Sequence, residues 1–378
     1  MNPGRPLLKL IQCITASFVL FSCVSPLPAQ DIFKGYEQLF TTPRNYVAYQ
    51  VSDSLIIDGR LNETSWEQAP WSDFFVDIEG VKRSSPTYKT RFKILWDEKH
   101  LYIAAALEEP HVWATLTKHD QIIYHDNDFE IFIDPDGDTH NYYEIEVNAF
   151  NTILDLFMPK PYRNGGRANL KWNVRQLKSS VHIDGTINQP DDIDKKWYVE
   201  IALPFSSLSL SDSGHVPKNK TIWNINFSRV QWDIEILNGL YKKKMDTVKK
   251  RPLPEHNWVW SPQGVINMHY PERWGYLQFS TNKAGRKIEN FHVPAGDHYK
   301  KYLWLLYYKQ KEYFHIHKQY ATDLLLINFP SKISTSGGKG VLTMKASPHQ
   351  YVAYIKFSAK ESWQIDQEGK IIKMILQP

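Results

Sequence analysis

Acidic side chains are gathered in one short stretch of the sequence, between residues 124 and 150. Asp128 and Glu130 occupy alternate positions of one strand-like run, and Glu144, Glu146 and Asn148 occupy alternate positions of the next. Because successive residues of a strand face opposite sides, each set shares one face. Carboxylates accept hydrogen bonds from hydroxyl groups, and neighbouring aromatic rings stack on the apolar faces of pyranoses. The stretch therefore predicts a sugar-binding face, with an ordinary solvent-exposed sheet face as the alternative.

A hairpin positions these side chains. Its first strand runs to Asp134, and its second strand extends from Asn141 to Phe150. Between them, Pro135 fixes one backbone angle and Gly137 accepts a positive φ, so the chain can reverse. Apolar residues fill the opposite row of both strands: Phe129, Ile131, Ile133, Tyr143, Ile145, Val147 and Ala149. The hairpin should thus have one core face and one acidic, aromatic face.

Composition narrows the class of protein. The chain has 378 residues, of which 42% are hydrophobic, so it is globular and long enough for a full core. Its 14% aromatic content favours β architecture and surface stacking. The net charge of +4 is modest, and the basic residues are not interleaved with aromatic ones as in nucleic-acid grooves. We infer no nucleic-acid partner, and no later apolar run approaches the roughly 18 residues of a membrane span.

The N-terminus carries an export pattern. Arg5 and Lys9 precede a mostly apolar run from residue 10 to residue 24, and prolines and Ala29 follow. This predicts a signal peptide over residues 1–29, cleaved after Ala29. In the alternative interpretation Cys23 ends a lipobox and becomes a lipidated N-terminus. Either way we expect the periplasm or the cell exterior, and since Cys13 also lies in this segment, we expect no disulfide.

An ordered series of short motifs extends from residue 58 to residue 275. Its members are Asp58-Gly59, Trp66, Trp96-Asp97, Leu101-Tyr102-Ile103, Asp128-Phe129-Glu130, Asp134-Pro135, Tyr142-Tyr143-Glu144, Val147-Asn148, Trp197-Tyr198-Val199-Glu200, Leu203-Pro204, Trp223, Asn226-Phe227, Arg229, Trp260-Ser261-Pro262, Pro271-Glu272 and Trp274-Gly275. In this order the series resembles the family 9 carbohydrate-binding module, in the form found in family 9-like proteins of sugar-degrading bacteria. The resemblance covers about residues 46–280. It implies a mainly β fold, an immunoglobulin-like or jelly-roll β-sandwich that binds sugars, best known as an appendage of xylan-degrading enzymes.

The resemblance also implies site residues. Family modules clamp a terminal sugar between two rings, while a carboxylate and an amide or arginine hold its hydroxyls. Glu130 matches the family's carboxylate, and Tyr124 stands where well-known members have a stacking Trp. The family's arginine on the next strand has no match, because Glu144 and Glu146 occupy the corresponding positions.

Several residues of this chain are candidates for the family's second stacking ring and for its hydroxyl-binding arginine. Trp172, Trp232 and Trp260 each offer a second ring, and core packing is the alternative for all three. Arg229 is a candidate for binding hydroxyls, or else it forms an ion pair with Glu130 or Glu200.

Residues 281–378 form a separate unit by composition. The pattern predicts an amphipathic helix from Asp297 to Leu326 and four strand-like runs after it, a small C-terminal α+β extension. Before this unit, six cations from Lys242 to Arg251 predict a solvated insertion, with an acidic glycan ligand as the alternative.

Non-catalytic carbohydrate binding in polysaccharide catabolism is the favoured function, with a glycoside hydrolase as an expected partner protein. No catalytic residue is assigned, since Glu144 and Glu146 sit on what we expect to be an open hairpin without the burial that raises a carboxyl pKa. A hydrolase of O-glycosyl bonds is the first alternative. A haem-binding sandwich is the second, with Met158 and a loop His as axial ligands. No cofactor is assigned. The aspartates at 134, 136 and 138 fail the EF-hand pattern, and a structural calcium ion that supports the sandwich, as the resemblance implies for some relatives, is left open.

Overall fold

The computed structural model describes residues 32–208, 216–294, 296–335, 337–359 and 361–375. The predicted signal peptide and the alternative lipidated Cys23 lie outside this part of the chain. Strands dominate, and the mainly β sandwich with a small C-terminal helix-and-sheet extension is confirmed.

In the described part of the chain, sixteen strands and one short α-helix precede residue 284. They are β1 (Asn45–Gln50), α1 (Thr64–Gln68), β2 (Val76–Asp77), β3 (Thr90–Trp96), β4 (His100–Glu108), β5 (Asp128–Asp134), β6 (Tyr142–Asn148), β7 (Ile153–Met158), β8 (Lys178–Asp184), β9 (Lys196–Pro204), β10 (Ile222–Gln231), β11 (Ile234–Leu237), β12 (Leu240–Lys243), β13 (Met245–Asp246), β14 (Arg251–Pro252), β15 (His256–Val259) and β16 (Gly275–Lys283). The remainder is α2 (Asp297–His317), β17 (Lys332–Thr335), β18 (Gly338–Ala346), β19 (Tyr351–Lys356), β20 (Glu361–Asp366) and β21 (Ile371–Ile375).

One continuous sheet folds over itself to make the sandwich. Its strands follow the order β7-β6-β5-β10-β16-β1-β3-β4-β9-β8, with β15 and β2 attached beside β10. The first half faces the second across a shared apolar core, where the rings of Phe92 on β3 and Phe227 on β10 lie 4.0 Å apart. The parallel strand β1 joins the two halves, because it pairs with β16 on one side and β3 on the other.

Alternation along β5 and β6 follows the predicted pattern. Phe129, Ile131 and Ile133 of β5 point into the shared core, as the sequence indicated. The opposite face of these strands is also covered, by a second apolar cluster that includes Ile123 and Trp274. Every residue of both strands is therefore buried, which a half-solvated hairpin would not show.

The C-terminal region packs around α2. Tyr299, Leu303, Leu306 and Gln310 recur at helical spacing on its buried side, against the sheet β17-β18-β19-β20-β21. The helix ends at His317, nine residues before the predicted end, because Lys318 adopts a left-handed backbone conformation. The described segment before β1, residues 32–44, which we call the lead-in, joins the same cluster through Leu39. Among the described residues, no helix is both long and apolar enough to cross a bilayer.

Candidate functional site

Four carboxyl groups lie together on the outer face of β5 and β6. We call Asp128, Glu130, Glu144 and Glu146 the carboxyl cluster. Glu130 lies directly opposite Glu146 in the strand pairing, and one carboxylate oxygen each from Asp128, Glu130 and Glu146 lies within 4.8 Å of the others. No member of the carboxyl cluster is more than 5% exposed. The prediction of a shared acidic face is correct, but the expectation that this hairpin is open is wrong.

Burial changes the ionisation of the carboxyl cluster. Loss of hydration and the neighbouring Glu146 carboxylate raise the pKa of Glu130 to about 8. Burial raises the pKa of Glu146 to about 7, although hydrogen bonds to its carboxylate oppose the shift. Burial, followed by neighbouring carboxylates, raises the pKa values of Asp128 and Glu144 well above the ordinary range. The cluster therefore holds protons at neutral pH, which the sequence alone did not indicate.

Tyr124 stands at the edge of the carboxyl cluster. Its backbone N–H donates to Glu146 over 3.0 Å, and its carbonyl accepts the indole N–H of Trp232 over 2.9 Å. The ring is 39% exposed, so it is open to a ligand. Burial and then the carboxylates of Glu255, Glu146 and Glu130 raise the pKa of its phenol, which places the hydroxyl beside the cluster.

Tyr162 is a second ring at this site that the sequence analysis missed. It is 45% exposed, and its ring centroid lies 4.5 Å from that of His269. Burial, then the carboxylates of Glu144 and Glu146 and the phenol of Tyr124, raise the pKa of Tyr162 to about 12. The two tyrosines therefore lie beside the buried carboxyl cluster, and we call these six residues together the acidic crevice. The loop position of Tyr162 gave no periodic signal.

His269 lies beneath Tyr162 as a neutral imidazole. Burial and then the charge of Arg163 lower the pKa of His269 to about 4. Its Nδ1 atom is 2.9 Å from the Tyr142 hydroxyl, and its Nε2 atom is 3.7 Å from a Glu144 oxygen. At neutral pH it therefore supplies no positive charge to the carboxyl cluster.

Arg229 does not reach this face. Its guanidinium is buried on the inner side of β10, where it donates to Glu109 over 3.0 Å and to Gln231. The predicted ion pair with Glu130 or Glu200 is wrong, since Glu200 accepts the Trp66 indole N–H instead. Arg229 occupies a core-facing position of β10, opposite Phe129 of β5. It therefore lies on the other face of the sheet from the carboxyl cluster.

Other side chains pack against the rings of the three candidate tryptophans. Trp260 is buried in the core, 5.1 Å from the Phe92 ring, and Trp172 packs 4.9 Å from Tyr143 on the core side. Trp232 does lie next to Tyr124, but the Lys243 ammonium covers its ring 3.3 Å from the centroid. Lys243 belongs to β12 and is half-buried, whereas the other five cations of the predicted solvated insertion are exposed.

Asn148 has a structural role. Its amide donates to the Leu116 carbonyl and to Asp126, and its oxygen accepts the backbone N–H groups of Phe150 and Thr152. These bonds occupy both ends of the amide, and the side chain is fully buried. Asn148 was predicted to bind sugar, but its hydrogen-bonding groups are already used within the protein.

The C-terminal region and the segment just before β16 together hold the loop that carries Tyr162. We call residues 159–166 the Tyr162 loop. Arg163 donates to the buried Glu272 over 2.8 Å, and the Tyr307 hydroxyl on α2 donates to Asn164 over 2.7 Å. Lys160 pairs with Glu368 over 2.7 Å. A side chain at Gly166 would meet the Lys160 carbonyl at 1.7 Å, so the loop folds tightly only with glycine there.

Two further groups bear on metal and haem binding. Asp134, Asp136 and Asp138 bring carboxylate oxygens within 4.8 Å of one another, but Asp134 caps backbone N–H groups of the turn and Lys370 lies 3.2 Å from Asp138. This loop is thus largely satisfied by the protein itself. Met158 is wholly buried in the apolar cluster around Trp274.

A family-model comparison agrees with the motif series. Residues 57–217 match the family model described as "Carbohydrate family 9 binding domain-like", which confirms the resemblance for this region. A search of curated proteins found no match. Two similar solved structures are a family 9 carbohydrate binding module from Caldicellulosiruptor kristjanssonii in complex with glucose and the same module with cellotriose. Each is 16% identical, with a TM-score of 0.38 and all of that chain covered, over 66% and 65% of this chain respectively.

A third solved structure comes from Bacteroides uniformis, and its carbohydrate binding is assigned provisionally. It is 16% identical, covers 63% of this chain and all of its own, and has a TM-score of 0.45.

Proposed function

We propose that this chain, whose residues 57–217 match a carbohydrate family 9 binding domain-like model, is a carbohydrate-binding protein. The family match is the observation that carries the proposal. It spans β5, β6 and the Tyr162 loop, so the region that resembles the family contains the crevice described above.

The crevice supports sugar binding through its two kinds of side chain. Tyr124 and Tyr162 are the half-exposed rings, and either can stack on the apolar face of a pyranose. Glu130, Glu144 and Glu146 lie below them and can accept hydrogen bonds from hydroxyl groups, or donate one where the carboxyl is protonated. Binding would thus pair a stacked ring with hydroxyls directed into the carboxyl cluster.

The cellular setting is part of the proposal. The N-terminal pattern supports an exported protein. We further propose that it acts in carbohydrate catabolism together with a glycoside hydrolase. Mass spectrometry of the mature N-terminus tests export. A start near Gln30 supports ordinary cleavage and a lipid-bearing Cys23 supports anchoring, whereas an intact Met1 contradicts both.

A glycan array with the mature protein, followed by calorimetry on the best ligand, tests the binding function. At pH 7, where Glu130 is protonated, Glu130→Gln should weaken binding roughly twofold to tenfold, because a neutral hydrogen bond contributes about 0.5 to 1.5 kcal/mol. Glu98→Gln, at an exposed turn far from the crevice, is the matched control and should bind like the parent. If folded Glu130→Gln also binds like the parent, the sugar site is elsewhere.

Glycoside hydrolysis is a second candidate, favoured by the buried carboxyl groups. A general acid needs a carboxyl whose pKa is raised, and the pKa of Glu130 near 8 beside that of Glu146 near 7 meets this need. The hairpin is not open, and its carboxyl groups are buried as those of a general acid would be. Release of reducing sugar by the parent protein that disappears in Glu130→Gln would establish hydrolysis.

A further inference from the structure

The carboxyl cluster has no positively charged neighbour of its own. Arg163 is directed to Glu272 and Arg229 to Glu109, while Lys243 lies over Trp232. Within the described ranges, no lysine or arginine forms an ion pair with Asp128, Glu130, Glu144 or Glu146. Since His269 is neutral, the crevice presents four acids and no compensating cation.

The same crevice contains acceptor atoms without donors. Asp128 Oδ2 and Glu144 Oε2 are buried and have no hydrogen-bond partner among the described residues. A buried polar atom without a partner costs free energy, and a buried charge costs more unless it is paired. These atoms therefore favour a ligand that brings both N–H donors and positive charge.

We propose that the ligand is an amino sugar, whose protonated amine lies against Glu130, Glu146 and Asp128 while its pyranose ring stacks on Tyr124 or Tyr162. The inference rests on the proposed function and specifies the class of sugar. An ammonium group has three N–H donors, and charge-assisted bonds of about 2.8 Å at tetrahedral angles place their acceptors about 4.6 Å apart. The three carboxylate oxygens lie within 4.8 Å of one another, so one ammonium can reach all of them.

Binding of a cation should displace protons from the carboxyl cluster. The groups that face the site are Asp128 and Glu130 on β5, Tyr142, Glu144 and Glu146 on β6, Tyr124 before β5, Tyr162 and Arg163 in the Tyr162 loop, and Glu255 and His269 from the segments beyond β14. An ammonium favours ionised carboxylates, so affinity should rise from pH 5 to pH 7 while the amine stays protonated.

Calorimetry with a matched pair of ligands tests this inference. Methyl β-glucosaminide and methyl β-glucoside differ only in an amine that replaces one hydroxyl. At pH 7 the glucosaminide should bind about tenfold to a hundredfold more tightly, as expected for a charge-assisted bond. Titrations in two buffers of different ionisation enthalpy should show net proton release for the glucosaminide and none for the glucoside.

Two variants separate the inference from the proposed function. Glu130→Gln should bring the two affinities close together, and Glu98→Gln should preserve their ratio. Equal binding of both sugars by the parent overturns the amino-sugar inference and leaves the proposed function in place. An absence of binding to these sugars and to every glycan on an array overturns both.

Discussion

Tyr124 and Tyr162 flank the same carboxyl cluster, but different parts of the chain hold them. Tyr124 is attached within the sandwich, through its N–H to Glu146 and its carbonyl to Trp232. The Tyr162 loop is attached to the C-terminal region, through Tyr307 on α2 and through Glu368. One ring is therefore fixed by the strands beneath it, and the other by residues that follow the sandwich together with Glu272 and His269 just before β16.

The C-terminal region therefore helps to position Tyr162. The described residues between 297 and 375 contribute no carboxyl group to the crevice, yet they contact the Tyr162 loop at Lys160, Arg163 and Asn164. We expect changes at these contacts to disturb Tyr162 and to spare Tyr124.

The largest effect is expected from Arg163→Ala. The substitution leaves Glu272 buried without its cation, and loss of one partner of a buried pair costs about 3 kcal/mol of unfolding free energy. Chemical denaturation measures this loss. Hydrogen exchange should show faster exchange in the Tyr162 loop and unchanged exchange around Tyr124.

Arg167→Ala is the control for that substitution, because Arg167 lies just after the Tyr162 loop and is exposed. It should change the unfolding free energy by less than about 0.5 kcal/mol. Equal destabilisation by both variants would contradict the role assigned to Arg163.

The pH dependence of stability tests the cluster that both rings share. The folded-state pKa values of Glu130 and Glu146 lie near 8 and 7, above the ordinary value of 4.5, so the folded protein binds more protons than the unfolded chain. Unfolding then releases protons, and stability should fall as pH rises from about 5 to 8, by on the order of 3 kcal/mol.

Thermal melts across this pH range measure the effect. Glu130→Gln cannot ionise, so its stability should fall less steeply with pH, whereas Glu98→Gln should follow the parent. A parent profile that rises between pH 5 and pH 8 would refute the protonated state of the cluster.

Ring removal compares the two tyrosines directly. Tyr124→Ala and Tyr162→Ala should each weaken sugar binding by on the order of 1 kcal/mol through lost stacking area. If one ring makes the stacking contact alone, only its variant loses affinity. Calorimetry on the glycan chosen from the array decides this, and thermal melts confirm that both variants are folded.

The smallest effect is expected from Lys160→Ala. Its ion pair with Glu368 is partly exposed, and such pairs contribute about 0 to 1 kcal/mol. Binding should change less than about twofold. A loss of unfolding free energy as large as that of Arg163→Ala would show that this exposed pair fixes the Tyr162 loop as strongly as the buried pair does.

The local part of the fold was predictable from residue patterns. Two-residue alternation placed Ile131 and Ile145 in the core and Glu130 and Glu146 together on the other face, because a strand's side chains alternate by geometry. The amphipathic pattern likewise located α2, apart from its C-terminal end.

Contacts between distant segments were not predictable in the same way. The cover over the carboxyl cluster comes from residues such as Ile123 and Trp274, which lie far from β5 and β6 in sequence or outside any regular pattern. Arg229 and Trp260 looked suitable by residue type, but strand parity turns Arg229 inward and packing buries Trp260. Tyr162 was overlooked because its neighbours His269 and Glu144 become visible only when the chain has folded.

The attachment of the lead-in to α2 has a consequence for the order of folding. Tyr36 hydrogen-bonds Glu312, 276 residues later, and Phe33 and Leu39 complete the same apolar cluster. Closing so long a loop is slow, and these side chains lack their partners on α2 until the C-terminal region has emerged. The earliest of the described residues should therefore be among the last to become protected, and a chain shortened before Asp297 would leave their apolar surface exposed and prone to aggregate.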